Sequence, residues 1–257
     1  MLVIDDSTYR SSSYNSRIRF LVLHYTAINF ASSIAALTSK VSAHYLIPNL
    51  TDQSYPATKL QVFKLVDESQ RAWHAGVSAW EDRSNINDQS IGIEIVYQPE
   101  PSSTEAEKLL FPDYPADQIE QLVLLCKDII QRHPDITPTR VIGHSDIAPA
   151  RKADPGPKFP WQHLYSEGIG AWYDTATLER YQCQFSEALP PILAIQQQLK
   201  TYGYSIQLTG IEDKQTQQVV KAFQMHFNPE SYSGCLDVKT VAAIYALVDK
   251  YCKPSQF

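Results

Sequence analysis

Over the first two-thirds of the chain, short apolar runs alternate with amphipathic stretches; after that the pattern is amphipathic throughout. Arg19 to Tyr25 holds Phe20-Leu-Val-Leu23 and ends on His24, a run of large and β-branched residues that predicts a buried strand closed by a polar side chain. Ser32 to Lys40 predicts a short helix capped by Ser32 or Ser33. Ser42 to Pro48 reads as a strand stopped by proline, and Lys59 to Val66 alternates as a half-exposed strand does. Ile91-Gly-Ile-Glu94-Ile-Val96 is apolar but for one glutamate. From Asp117 onward, Ile119, Leu122, Val123, Cys126, Ile129 and Ile130 recur at helical spacing, with Glu120 placed as in a capping box, and Pro134 ends the stretch. Thr139 to His144 predicts another short strand, opening into a proline-rich loop that runs to Pro160. Strands interleaved with helices predict an α/β (α+β) domain.

Beyond Pro190-Pro191 three amphipathic stretches follow: Ile192, Ile195, Leu199 and Tyr202, closed by Gly203; then Val219, Val220, Phe223 and Phe227; then Val241, Ile244, Tyr245 and Val248. They predict a three-helix unit. Charge shifts at the same place. The net charge is −6, yet from Ser186 to the end there are six basic and six acidic side chains, so the whole excess lies before it. The two shifts predict one domain over 1–185 and a small helical one over 186–257, the second near the lower size limit for independent stability and expected to lean on the first.

Composition narrows the class. With 44% hydrophobic and 19% charged residues, the chain has the material for a core and too little charge for disorder. A pI near 5.6 removes the basic footprint that a phosphate-backbone binder needs, so nucleic acid is not an expected partner. Cys126, Cys183, Cys235 and Cys252 show no C-x-x-C spacing and read as free structural thiols. The start, MLVIDDSTYR, has neither the basic region nor the apolar stretch of a secretory signal. No apolar run approaches the roughly 20 residues that cross a bilayer, so no transmembrane segment is expected. A homo-oligomer is neither predicted nor excluded.

The chemistry gathers around the histidines. His24 and His144 each end a predicted strand, where a side chain is well held and faces a rim open to ligands. Either one alone reads as readily as a hydrogen-bonded core histidine. The loop after His144 adds Asp154 ten residues on, with three prolines and two glycines in Gly143–Pro157 to fix its shape. Two imidazoles and one carboxylate make a three-ligand set that leaves a fourth tetrahedral position for water, as in a catalytic zinc site. Glu94, surrounded by aliphatic residues, is hard to ionise unless a cation or donor is near. It is either an outward-facing strand residue or a base placed to take a proton from water in that site. Lys152 reads as a solvated loop lysine or as the positive charge that meets a developing oxyanion.

Taken in order, His24-Tyr-Thr-Ala, Val41-Ser-Ala-His44-Tyr, Ala72-Trp73-His74-Ala-Gly76, Asn87-Asp-Gln-Ser-Ile-Gly-Ile-Glu94 and Gly143-His144-Ser-Asp-Ile-Ala-Pro-Ala-Arg-Lys152-Ala-Asp154-Pro-Gly-Pro resemble the zinc-dependent N-acetylmuramoyl-L-alanine amidases of the AmpD and AmiD type. The resemblance covers residues 17–162. It implies a mixed sheet flanked by helices with zinc in a cleft, His24, His144 and Asp154 as zinc ligands, Glu94 as acid/base and Lys152 as the stabiliser of the transition state. It also implies the substrate, the amide between the lactyl group of N-acetylmuramic acid and L-alanine in peptidoglycan or muropeptides. His44, Trp73, His74 and Asn87 lie in the motifs flanking the ligand strands and are expected to line the substrate cleft, Trp73 offering a face to a sugar ring and Asn87 a hydrogen bond; the competing expectation for the two histidines is that they only hold loops in place.

The C-terminal stretch resembles a three-helix peptidoglycan-binding module through Leu199-Lys-Thr-Tyr202-Gly203-Tyr204, Val219-Val-Lys-Ala-Phe223-Gln224-Met-His-Phe227 and Ser233-Gly-Cys-Leu236-Asp237-Val-Lys-Thr240, but Gly210-Ile-Glu-Asp-Lys replaces the module's usual Asp-Gly before its middle helix. Relatives with such a module act in the periplasm and others in the cytoplasm, so the periplasm is the expected location. Two rivals stand beside the hydrolase. One is a recognition protein on the same fold that binds muropeptides without cutting them; the other is a glycosidase using Glu94 and an aspartate as paired carboxylates, which leaves the histidines and the lysine without a role.

Overall fold

Phe20, Leu21, Val22 and Leu23 have no solvent exposure, and the strand they form, β1 (Phe20–Tyr25), lies inside the sheet on which the molecule is built. The computed structural model describes residues 2–5, 7–101 and 109–253. After β1 come α1 (Phe30–Leu37), β2 (Tyr45–Ile47), β3 (Phe63–Lys64), β4 (Ala79–Trp80), β5 (Arg83–Ser84), β6 (Ser90–Ile95), β7 (Glu100–Pro101), β8 (Leu109–Leu110), α2 (Ala116–Arg132), β9 (Val141–Gly143) and α3 (His144–Ile147). Helices α4 (Trp161–Ser166), α5 (Thr175–Gln184), α6 (Ile192–Tyr202), α7 (Lys214–Phe227) and α8 (Val238–Tyr251) complete the chain.

The main sheet has the order β3-β2-β6-β1-β9. β1 runs parallel to both β6 and β9, β6 runs parallel to β2, and β3 closes one edge antiparallel to β2, which makes the sheet mixed. The two central strands are apolar at nearly every position because both faces are covered. α2 buries Ile119, Leu122, Val123, Cys126 and Ile129. Its Gln118 Nε2 ties the helix to the strand ends, donating to Pro48 O and Val96 O at 2.9 Å each. A second apolar cluster, with Phe30, Leu37, Leu46 and Tyr55, seats α1.

Several local expectations shift. α1 starts at Phe30 because Asn29 is its cap, its Oδ1 accepting from Ser32 N at 2.9 Å, while the Ser33 hydroxyl donates back to Asn29 O at 2.7 Å. The capping box expected at Asp117 does not form; Pro115, with φ −57°, leads straight into α2 with no side-chain cap. Of Lys59–Val66 only Phe63–Lys64 pairs, as an edge strand. His144 does not end a strand but opens α3. α4 and α5 carried too short or too weak a pattern to be read: α5 buries only Leu178 and Tyr181. Of the four free cysteines only Cys126 is buried, so a structural role fits that one alone; Cys183 and Cys235 are exposed.

The three predicted C-terminal helices form, and they are fastened to the rest. One continuous apolar cluster contains Ile91 and Leu122 together with Ile195, Phe223 and Leu247. Trp80 of β4 packs edge-on against Tyr204 at 4.8 Å between ring centres. Its Nε1 donates to Thr139 O at 3.1 Å. A polar tie crosses the same seam. Asp146 of α3 is 1% exposed. Its Oδ1 accepts from the Tyr204 hydroxyl at 2.6 Å, and its Oδ2 faces His226 Nδ1 at 2.8 Å and accepts from Gly143 N at 2.8 Å.

A buried carboxylate deprived of a donor costs more than the bond itself was worth. Tyr204→Phe, which keeps the ring packing and removes only the hydroxyl, is therefore expected to destabilise the protein by about 1.5–3 kcal/mol. The measurement is the urea midpoint at unchanged slope; an unmoved midpoint would show that Asp146 is satisfied without Tyr204.

Candidate active site and metal centre

Strand register assembles the site. In the β1–β6 ladder His24 stands opposite Glu94, so the two side chains leave the same face of the sheet. In the β1–β9 ladder Leu23 stands opposite Gly143, and His144, the next residue, falls beside His24. Glu94, His24 and His144 thus form a row at the carboxyl ends of three adjacent parallel strands, where α/β sheets place their ligands. Asp154 reaches the row from the loop. Ser145 N donates to Asp154 O at 2.8 Å, and the Tyr114 hydroxyl donates to Pro155 O at 2.8 Å. Pro155 lies against Gly143, where an added Cβ would meet its Cδ at 2.7 Å, so the close approach needs glycine.

His24 Nδ1, His144 Nδ1 and Asp154 Oδ2 are each 3.0 Å from the other two, and all three residues are buried. A tetrahedron with bonds of about 2.0 Å to nitrogen and oxygen has edges of about 3.3 Å, so the triangle fits three ligands of one zinc ion. Among the described residues it is the one cluster of three such donors close enough to share an ion. Burial alone would raise the Asp154 carboxyl, but the facing His144 and His24 imidazoles hold it well below the carboxylate range. His24 is pushed down to about 4 by burial and then by His144, against the pull of Asp154. An ionised carboxylate and a neutral imidazole therefore present lone pairs to one point, a donor set that calls for a cation.

Glu94 leaves the sheet on the side of His24 and is partly buried. Its Oε2 is occluded and has no partner among the described residues. Burial first and the Asp154 carboxylate second push it up to about 8, with Lys152 drawing it down. The Lys152 charge also acts on His24, so the lysine, half-buried on the loop that carries Asp154, is within electrostatic reach of the cluster.

The four expected cleft residues separate. Trp73 is 61% exposed and is free to meet a ligand. The other three lie beneath the cleft, because their polar atoms are already committed to the backbone or to a neighbouring ring. His44 has no exposure; its Nδ1 accepts from Gly92 N at 3.0 Å. Asn87 Oδ1 accepts from His74 N at 3.1 Å and from Ala75 N at 2.8 Å. His74 packs on His24, Nδ1 to Nε2 at 3.0 Å, and burial pushes it well below its ordinary value. Sequence reasoning missed the Ala75 carbonyl, which lies 3.0 Å from His144 Nε2 and accepts from Arg151 at 2.7 Å. No side-chain pattern can reveal a carbonyl. A cavity of 720 Å³ with Asn29, Asp52, Tyr97 and Asp113 in its wall contains none of the cluster residues. A groove of 350 Å³ runs between the Lys152 loop and Gln218, Lys221 and Met225 of α7, with Lys152 as its one member of the expected site.

Comparison with known proteins agrees with this geometry. Residues 14–157 match the family model described as N-acetylmuramoyl-L-alanine amidase, and residues 189–244 match a peptidoglycan binding domain. The chain is 42% identical to the N-acetylmuramoyl-L-alanine amidase AmiD of Escherichia coli (strain K12), over 96% of this chain and 88% of that protein. It is similar to the crystal structure of AmpDh3 from Pseudomonas aeruginosa in complex with anhydromuramic pentapeptide, at TM-score 0.93 and 50% identity, over 98% of this chain and 100% of that one. It is likewise similar to AmiD from E. coli in complex with the substrate anhydro-N-acetylmuramic acid-L-Ala-D-gamma-Glu-L-Lys, at TM-score 0.85 and 39% identity, over 97% of this chain and 95% of that one.

Glu94 gives the site a pH signature when metal is removed by a chelator. The folded chain keeps the Glu94 proton up to about 8, whereas the unfolded chain releases it near the ordinary 4.5. In that window the native state binds more protons than the unfolded one, so the contribution of Glu94 is present at low pH and lost as pH rises. Metal-free wild type should lose stability relative to metal-free Glu94→Gln between about pH 5 and pH 8, and change little above that. Denaturation curves of the two proteins across the range provide the check; parallel curves would mean that Glu94 is ionised throughout.

Proposed function

Since the chain belongs to the N-acetylmuramoyl-L-alanine amidase family, we propose that it hydrolyses the amide joining the lactyl group of N-acetylmuramic acid to L-alanine in muropeptides or peptidoglycan, with one zinc ion per chain on His24, His144 and Asp154. The observation that carries this reading is the buried 3.0 Å triangle of donors with the occluded Glu94 beside it. When bound, zinc supplies Lewis acidity, polarising the scissile carbonyl and acidifying the attacking water. Glu94 takes the proton of that water at Oε2 and delivers it to the leaving nitrogen of L-alanine. Lys152 brings its ammonium charge to the side of the cluster where the carbonyl oxygen becomes negative.

The rivals lose their footing in the same geometry. A glycosidase pairing Glu94 with Asp154 leaves the two imidazoles that face Asp154 Oδ2 at 3.0 Å without a role. A recognition protein has no use for an acid held out of water beside a complete donor set. Trp73, exposed next to the cluster, is the residue we assign to sugar contact. Residues 1–185 are read as the catalytic unit and 186–257 as a peptidoglycan-contacting unit, and the latter supports a periplasmic site of action.

Glu94→Gln is expected to keep its zinc while turnover of a defined anhydromuropeptide falls by about 100-fold or more. His24→Ala should lose the metal itself. Metal analysis beside mass spectrometry of the products separates the two effects, and a chelated wild type that still released the peptide would overturn the reading.

The seam between the two units makes a further prediction. Deletion from residue 186 removes the cover of Trp80 and the Tyr204 and His226 partners of Asp146, leaving only the Gly143 amide. The truncated protein should therefore melt lower and lose activity on small muropeptides as well as on sacculi. Loss confined to sacculi would instead mark the helices as a tether only.

A further inference from the structure

The two ligand histidines must both offer a bare Nδ1, and a neutral imidazole carries one proton whose place is set by the bond at its other nitrogen. For His144 that bond is to a backbone carbonyl. Nε2 lies 3.0 Å from Ala75 O, which only accepts, and 3.4 Å from Arg151 Nη2, whose shorter bonds of 2.7 and 2.8 Å go to Ala75 O and Val77 O; the closer carbonyl places the proton on Nε2 and leaves Nδ1 bare. His24 has no carbonyl partner. Its Nε2 meets His74 Nδ1 at 3.0 Å, and between two imidazole nitrogens either could hold the proton.

The choice is made farther along the chain of contacts. The Ser90 hydroxyl donates to Ile86 O at 2.7 Å, which uses its only proton. Toward His74 Nε2, 3.1 Å away, Ser90 Oγ can then only accept. The proton of His74 is therefore on Nε2, its Nδ1 is an acceptor, and His24 Nε2 must donate to it. That leaves His24 Nδ1 bare where it meets His144 Nδ1 and Asp154 Oδ2.

We propose that His74 is a positioning residue which, anchored through Ser90 to the Ile86 carbonyl, fixes the tautomer and ring orientation of His24 and so sets the affinity of the metal centre. The inference rests on the reading of the His24–His144–Asp154 cluster as a zinc site. Two features of the chain exist to hold His74 there. Asn87 fixes its backbone and that of Ala75 with one carbonyl oxygen, so both ligand histidines take their orientation from the same turn. Gly92 makes room for the ring: an added Cβ there would lie 2.4 Å from His74 Cγ and 2.6 Å from its Nδ1. The glycine of the Ile91-Gly-Ile-Glu94 run is therefore the seat of an imidazole.

Three variants and two readouts test this. His74→Leu fills the space and offers no acceptor; His74→Gln offers a carbonyl oxygen to His24 and an amide to Ser90; Gly92→Ala leaves every histidine in the chain but displaces the ring. Zinc affinity, measured by competition with a chelator in proteins shown by circular dichroism and melting to be folded, should fall about 10- to 100-fold in His74→Leu and Gly92→Ala, with much of the loss recovered in His74→Gln. In metal-free wild type, long-range nitrogen–proton NMR should show His24 protonated at Nε2, and in His74→Leu a mixture of both forms. A wild type that binds zinc while His74→Leu binds it equally well overturns this inference and leaves the zinc reading standing. A wild type that binds no zinc overturns both. His24 protonated at Nδ1 in the wild-type spectrum, or His74→Gln no better than His74→Leu, overturns the relay.

Discussion

Three buried donor atoms, each 3.0 Å from the others, are the constraint from which the rest of this structure follows. An ion held by all three would bind an arrangement that exists only in the folded chain, so its binding energy would also be folding energy. The effective penalty for burying a single charge is several kcal/mol, so the cluster has to be held by something stiffer than its own contacts. What holds it is mostly backbone: the register of β1, β6 and β9, the Ser145–Asp154 hydrogen bond and the Ala75 carbonyl.

The same demand explains two glycines whose absence of a side chain would otherwise look incidental. Gly143 admits Pro155 and lets the Asp154 loop fold back against the strand that delivers His144. Gly92 admits His74 beneath His24. In each case strand geometry alone would permit a larger residue, and the close approach of a second segment forbids it. Glu94, two residues beyond Gly92 on the same strand, is left with one occluded oxygen that has no partner among the described residues.

The C-terminal helices serve the centre at one remove. Asp146 lies two residues past His144 and accepts both the Tyr204 hydroxyl and the amide of Gly143, so the turn that presents the ligand is clamped from across the seam. With Trp80 packed edge-on to Tyr204 and one apolar cluster spanning both parts, the small unit cannot move independently without opening a core. The unit also walls a groove against the Lys152 loop.

What the sequence determined by itself was whatever local periodicity and an ordered set of motifs can encode. The buried strands, the long amphipathic α2 and the three C-terminal helices were legible, since apolar spacing reports burial along one element, and the ordered motifs singled out His24, His144 and Asp154, which the fold brings together. Whether Glu94 leaves the sheet on the side of His24 was not legible, because a lone acid in an apolar strand looks the same either way; the pairing of His24 with Glu94 decided it. The places of His44, His74 and Asn87 were decided by tertiary structure too. Their partners are the Gly92 amide, another histidine's nitrogen, and the amides of His74 and Ala75, and backbone groups are the same at every position in a sequence. The tie through Asp146 joins residues 58 and 80 positions apart, across a seam that neither segment's own pattern describes. Side-chain type announces which chemistry a chain can perform; only the fold decides which nitrogen carries the proton.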